Sequence, residues 1–214
     1  MGANQISTDR TTRLKPRRLG QRSVTRQAPP TTKTIMPHHP FAHARIHNLE
    51  IEVVIGDIVQ QPDMAAIVNA ANAHLLPGGG VCGAIFAAAG REELQAACHT
   101  LAPIQPGEAV LTPAFRLPNR AILHACGPRY GVDPNPGELL AACYRNLLEL
   151  AERHQLESLA IPAISTGIYG FPAEAATVIC INTLRQASAQ THQLKRIRFV
   201  VRDAEMARRY SGRI

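Results

Sequence analysis

Asn69-Ala70-Ala71-Asn72-Ala73-His74-Leu75-Leu76-Pro77-Gly78-Gly79-Gly80-Val81-Cys82-Gly83-Ala84-Ile85-Phe86 joins a short apolar run to an apolar helical segment through three consecutive glycines. Backbone without side chains lets an anion approach closely, and the first turn of the following helix offers unpaired N–H groups and the positive end of its dipole. The stretch therefore reads as an anion cradle at a strand–loop–helix junction. Ile164-Ser165-Thr166-Gly167-Ile168-Tyr169-Gly170-Phe171-Pro172 repeats the arrangement after another short apolar run, with Pro172 placed to open a further helix. Two cradles imply two phosphates. In open α/β sheets ligands bind outside the carboxyl ends of strands, so both loops are expected on one rim.

Outward from these loops, strand and helix patterns interleave. Residues 47–55 alternate Leu49, Ile51, Val53 and Ile55 against Glu50 and Glu52, the period of a strand with one buried face. Residues 64–71 form a continuous apolar run, as a strand buried on both faces would. Residues 81–89 and 91–101 read as two helices divided at Gly90, and residues 108–115 and 120–125 as two strands. Asn135, Pro136 and Glu138 spell a capping box for a helix whose buried stripe is Leu139, Leu140, Cys143, Leu147 and Leu150. A strand at 158–161, a helix from Pro172 to about residue 189, a strand at 196–201 and a short helix near 204–210 complete the pattern. The expected fold is α/β, a three-layer α/β/α sandwich with a mixed central sheet.

The charge is unevenly distributed. Residues 1–45 carry nine of the 23 basic side chains and one of the 16 acidic ones, which leaves 14 basic against 15 acidic for residues 46–214. The globular part is thus nearly neutral, and a nucleic-acid partner is not expected for it. Residues 1–44 are rich in Arg, Thr, Gln and Pro, and they are expected to be a disordered basic tail ahead of a domain at 45–214. The tail reads as a solvated extension, as translated sequence ahead of Met36, as an organellar transit peptide or as a non-specific nucleic-acid arm. No apolar run is long enough for a membrane span. Five widely spaced cysteines without a Cys-x-x-Cys pair fit a reducing, cytoplasmic setting, with neither structural zinc nor any other metal expected.

Gly78 to Gly83 formally satisfies G-x-G-x-x-G, but the first glycine stands too far from the preceding strand, and no acidic residue closes a second strand downstream. An NAD-dependent oxidoreductase is therefore disfavoured, and no G-x-x-x-x-G-K-[ST] motif marks a triphosphatase. Asp57 either accepts from an exocyclic amine or starts a turn. Asn69 and Asn72 either tie down the glycine loop or face a polyhydroxylated ligand. His124, at the end of an apolar strand, reads as a satisfied core histidine, while Arg196, Arg198 and Arg202 read as a solvated sheet face. Cys82, in the first helical turn, has three readings: a neutral pocket residue, a thiolate activated by the helix N-terminus, or a metal ligand beside His74.

Gly56-Asp57-Ile58, Ile67-Val68-Asn69-Ala70-Ala71-Asn72, Gly78-Gly79-Gly80-Val81, Gly83-Ala84-Ile85, Gly107-Glu108-Ala109, Gly127-Pro128 and Ile164 through Pro172 together resemble the macrodomain family, specifically its MacroD-type branch. The resemblance implies ADP-ribose, or a derivative, bound without a further cofactor. It places Asp57 and Ile58 at the adenine, and Gly78, Gly79, Gly80 and Val81 on one side of the diphosphate. Ser165, Thr166, Gly167, Ile168 and Tyr169 would lie on the other side, and Asn69, Asn72, Cys82 and Phe171 near the distal ribose. It further implies hydrolysis of mono-ADP-ribosylated protein or O-acetyl-ADP-ribose as one outcome, with Asn72 positioning ribose or water, and a non-catalytic ADP-ribose reader as the alternative. Catalytic members of that branch carry Val-Asp-Gly-Ala-Ile-His where this chain has Val81-Cys82-Gly83-Ala84-Ile85-Phe86. A thiol stands in place of the carboxylate, and a phenyl ring in place of the imidazole.

Overall fold

The computed structural model describes residues 40–214. Residues 1–39, and with them most of the basic tail, lie outside the described residues. The strands are β1 (Ala42–Ile46), β2 (Leu49–Ile55), β3 (Ala66–Ala71), β4 (Ala109–Pro113), β5 (Ala121–Cys126), β6 (Ser158–Ile161) and β7 (Arg196–Val201). The helices are α1 (Gly80–Ala89), α2 (Arg91–His99), α3 (Pro136–Arg153), α4 (Ala173–Ala187) and α5 (Ala204–Ser211).

One sheet of seven strands runs β1-β2-β7-β6-β3-β5-β4. Its interior pairs are parallel and its two outermost pairs, β1 with β2 and β4 with β5, are antiparallel. The central strands β3, β5 and β6 are apolar on both faces because helices cover both. On one side Leu140, Tyr144, Leu147, Cys180, Leu184 and Tyr210 bring α3, α4 and α5 against Val53, Val68, Leu123 and Phe199. On the other, Ile85, Phe86, Leu94 and Cys98 bring α1 and α2 against Ile67, Ile122 and Val200. The result is a three-layer sandwich with a mixed sheet, and the parallel strands turn their carboxyl ends toward one rim.

Three details differ from the sequence reading. Strand β1 starts at Ala42, ahead of the domain boundary set at residue 45. Its Ala-His-Ala-Arg pattern has little strand character of its own, and pairing with β2 supplies the order. Helix α3 begins at the expected proline, but Asn135 sits in the left-handed region (φ 46°) with no side-chain cap, and Glu138 turns to Arg145 instead of back toward Asn135. Arg198 is not on a solvated face. It is 5% exposed, its Nε donates to Glu52 Oε2 at 2.6 Å, and its terminal nitrogens donate to both oxygens of Asp63 at 2.8 Å and to Gln61 Oε1 at 2.9 Å. The segment between β2 and β3 carries Gln61 and Asp63 over this arginine, which makes a buried charge tolerable.

Candidate functional site

The two glycine-rich loops face each other across one cleft of about 380 Å³ at the carboxyl ends of β3, β6 and β7. One wall is Ala70, Ala71 and Asn72 at the end of β3, then Gly78 through Cys82 at the start of α1. The opposite wall is Pro162 through Tyr169, following β6. The far end is closed by Val200, Val201, Arg202, Asp203 and Met206, where β7 passes into α5.

The first wall is held by its own polar groups. Asn72 Nδ2 donates to the Leu76 carbonyl at 2.7 Å and Asn72 Oδ1 accepts from the Leu76 N–H at 3.1 Å, so this amide staples the loop that delivers the glycines. Leu75, 1% exposed, anchors the same loop in the core. The loop then folds back onto α1 so closely that a Cβ at Gly83 would lie 2.5 Å from the Gly78 carbonyl oxygen. Gly79 enters the helix with extended backbone and no side-chain cap, and no acidic residue stands in the first turn. The leading N–H groups of α1 are therefore left for something outside the helix.

The second wall is a tight loop in which the Gly170 N–H donates to the Gly167 carbonyl and the Phe171 N–H to the Ser165 carbonyl, both at 3.0 Å. Ser165 takes the left-handed conformation (φ 66°), and its buried hydroxyl has no partner among the described residues. Tyr169 lines the cleft, and burial pushes its phenol pKa up. Its carbonyl accepts from the Tyr130 N–H at 2.9 Å, and the Tyr130 ring stands 5.0 Å from that of Phe171. Ile168 projects at the lip, 93% exposed.

Cys82 lies in the first turn of α1, 6% exposed, with its Sγ 3.6 Å from the Leu76 carbonyl and 3.7 Å from Asn69 Nδ2. Asn69 itself is fully buried beneath the cleft, and its Nδ2 donates to His124 Nδ1 at 3.1 Å, the partner directly across from it in the β3–β5 register. His124 Nε2 in turn lies 2.9 Å from the Thr112 hydroxyl, which donates to the Pro113 carbonyl at 3.1 Å. Donors and acceptors match along this chain when His124 is neutral and protonated on Nε2. Burial drives its pKa down to about 4, so it is a satisfied core histidine and not an acid–base group of the cleft. Phe86 is fully buried in the core.

Asn72, Gly78, Gly79, Gly80, Val81, Cys82 and residues 165–169 are thus brought together, whereas Asp57, Ile58, Asn69 and Phe171 do not line the cleft. Asp57 is exposed, and its carboxylate accepts from the Val59 N–H, a turn-starting role. Ile58 packs into the core on the α1 side. The far end of the cleft, with Arg202, Asp203 and Met206, was not anticipated from the sequence. Its only local signal is a polar pair directly following an apolar strand. Among the described residues no three His, Cys, Asp or Glu side chains converge as metal ligands would.

A mixed sheet whose parallel strands bring an uncapped helix N-terminus and a second tight loop to one rim defines a class: an α/β sandwich with an anion cradle at the carboxyl ends of its strands. The sequence pattern of the Macro domain matches residues 68–180, and the chain belongs to the Macro domain family. It is 44% identical over 169 residues to a Macro domain-containing protein of Cupriavidus necator, covering 77% of this chain and 96% of that one. It is 45% identical over 168 residues to the O-acetyl-ADP-ribose deacetylase of Citrobacter rodentium, covering 76% and 94%. Among solved structures it resembles the Oceanobacillus iheyensis macrodomain with ADP, at a TM-score of 0.75 and 37% identity over 80% of this chain and 93% of that one. The Trypanosoma brucei macrodomain in complex with ADP-ribose gives a TM-score of 0.68 and 35% identity over 76% and 68%.

Proposed function

We propose that this chain binds ADP-ribose, or a derivative such as O-acetyl-ADP-ribose or mono-ADP-ribosylated protein, in the cleft between the two glycine-rich loops. The observation that carries the reading is the convergence of the free N–H groups at the start of α1 with the loop at residues 165–169 across one cavity. Relatives whose names carry ADP-ribose chemistry support it. In this reading the diphosphate lies between residues 78–81 and 165–169, and Asn72 and Cys82 flank the ribose at the β3 end. Asp57 and Ile58 belong to the adenine end as the family resemblance assigns them, and the binding unit is the domain from 45 to 214 extended by β1. We further infer a place for the chain in the MacroD-type branch, with Cys82 at the position of its catalytic carboxylate. Five free, buried thiols suit a reducing, cytoplasmic setting.

The reader alternative draws support from the cleft's lack of a general base. Among the described residues Asp203 is the one carboxylate lining it, and it caps α5 at the opposite end from Asn72. Glycine-loop amides can still stabilise charge developing on oxygen, so slow hydrolysis is compatible with the same geometry. Titration calorimetry with ADP-ribose, followed by incubation with an automodified ADP-ribosyltransferase and with O-acetyl-ADP-ribose, separates these readings. Binding without release identifies a reader, release identifies a hydrolase, and no binding removes both. Cys82→Asp sharpens the test, because a carboxylate that orients water raises hydrolysis by about 100-fold or more.

A further inference from the structure

Arg202 follows directly on β7 and, among the described residues, is the one cationic side chain that lines the cleft. Its Nη2 lies 3.2 Å from where a Cβ would stand on Gly80, the first residue of α1, which holds a positive φ of 58°. The guanidinium therefore rests across the amino end of that helix, in space that a side chain at residue 80 would fill. Nothing in the described residues balances this charge. Arg202 is exposed and makes no ion pair there, the first turn of α1 contains no acid, and the adjacent Asp203 gives its Oδ1 to the Met206 N–H at 2.8 Å. A cation at the positive end of a helix dipole, beside uncapped N–H groups, is an unfavourable arrangement on its own. One anion held between the guanidinium and those N–H groups satisfies both.

We propose that Arg202 is a binding residue for the ligand's diphosphate, reaching across the first turn of α1 to add a charged, bidentate donor to an otherwise neutral main-chain cradle. The proposal rests on the ADP-ribose reading of the cleft and adds to it a requirement for phosphate charge. The ligand class is a nucleoside diphosphate and not a nucleoside, and binding weakens as salt screens the guanidinium.

The test is titration of the full chain and of its Arg202→Gln and Arg202→Lys variants with ADP-ribose, ADP, AMP and adenosine, at low and high salt. Arg202→Gln is expected to weaken ADP-ribose and ADP by about tenfold, the value of one charge-assisted contact, and to leave adenosine unchanged. Arg202→Lys keeps a point charge without the fork and should fall between. The wild type should lose affinity with salt more steeply than Arg202→Gln. Equal losses on adenosine and ADP would assign the guanidinium to the base and overturn the proposal, as would unchanged ADP affinity in Arg202→Gln. A wild type that binds none of the four removes the ADP-ribose reading and the role of Arg202 together, whereas a wild type that binds them leaves the variants to judge Arg202 alone.

Discussion

Arg198 and Arg202 belong to one stretch of chain and meet opposite surroundings. Arg198, inside β7, is enclosed by Glu52, Asp63 and Gln61, so every charge-bearing atom has its partner within the fold. Arg202, just past the end of the strand, hangs over an uncapped helix with no carboxylate to meet it. The Asn69–His124–Thr112 chain beneath the cleft is internally connected except at Asn69 Oδ1, which, like Ser165 Oγ in the cleft wall, has no partner among the described residues, and α1 starts beside it without a side-chain cap. Polar groups satisfied by the protein stabilise it, and those left unsatisfied at the rim are available to a ligand.

The largest expected effect tests the satisfied side. Arg198→Ala removes the buried guanidinium that holds Glu52 and Asp63 and leaves them only the longer contacts of Arg196, at 3.8 and 3.3 Å, so it should lower unfolding stability by about 3 kcal/mol in urea titrations, with m unchanged. A loss below about 1 kcal/mol would mean that water reaches the cluster and that the contrast with Arg202 is weaker than drawn. The pH dependence follows the same logic. Burial alone would raise the Asp63 pKa, but the hydrogen bond and charge of Arg198 outweigh it and hold the group below its ordinary value. Its contribution is therefore present above the unfolded carboxylate pKa of about 4 and is lost as pH falls below that, an acid sensitivity that Arg198→Ala should blunt.

His124 sharpens the comparison next. With a folded pKa of about 4 against an ordinary value of 6.5, it must stay neutral inside the sheet while the unfolded chain takes up a proton. Stability should fall as pH drops from 6.5 toward 4, by up to about 3 kcal/mol at the lower limit. Thermal melts of His124→Gln should show a lower Tm at neutral pH and a flatter slope across that window. If wild type and variant keep parallel slopes, the histidine is not the buried neutral group that the Asn69 and Thr112 contacts describe.

What the sequence revealed divides along the same line. The apolar runs of β3 and β6 and the stripe of α3 were readable because burial on both faces, or along one helical face, writes itself into local periodicity. The two loops and their common rim were readable because each is a strand–glycine–helix junction in its own right. Arg198 was misread because its partners arrive from the other side of the fold, through the β2–β7 register and the segment before β3. Arg202 is exposed, as read, but its place over Gly80 was not legible, since that relation exists only once β7 and β3 share a rim. Asn69 and Asn72 kept two readings in the sequence, and the hydrogen bonds separate them: one amide is sealed under the cleft and the other staples its wall.

On the open side, the glycine loop should fail before the fold does. Gly83→Ala sets a methyl 2.5 Å from the Gly78 carbonyl, a backbone atom that can yield only by moving the loop. Overpacking of this kind costs about 1–3 kcal/mol, and because it displaces the first wall it should weaken ADP-ribose at least about tenfold in calorimetry. A variant that is destabilised but binds normally would show that the cradle does not need its present path.

Cys82→Ser should have the smallest effect, and it bears most directly on chemistry. The thiol is 6% exposed and touches the Leu76 carbonyl and the Asn69 amide only at sulfur distances, 3.6 and 3.7 Å. Serine is slightly smaller and donates a stronger hydrogen bond to the same carbonyl, so the loop stapled by Asn72 should survive with stability changed by less than about 1 kcal/mol. Affinity for ADP-ribose should then stay within about twofold, because the diphosphate is gripped by main-chain N–H groups and Arg202 and not by residue 82. Any slow release of ADP-ribose should also persist, since a neutral pocket residue takes no proton and forms no bond. A hydrolysis rate that collapses in the serine variant while binding is retained would instead make Cys82 a nucleophile, and would move it to the working side of the contrast between Arg198 and Arg202.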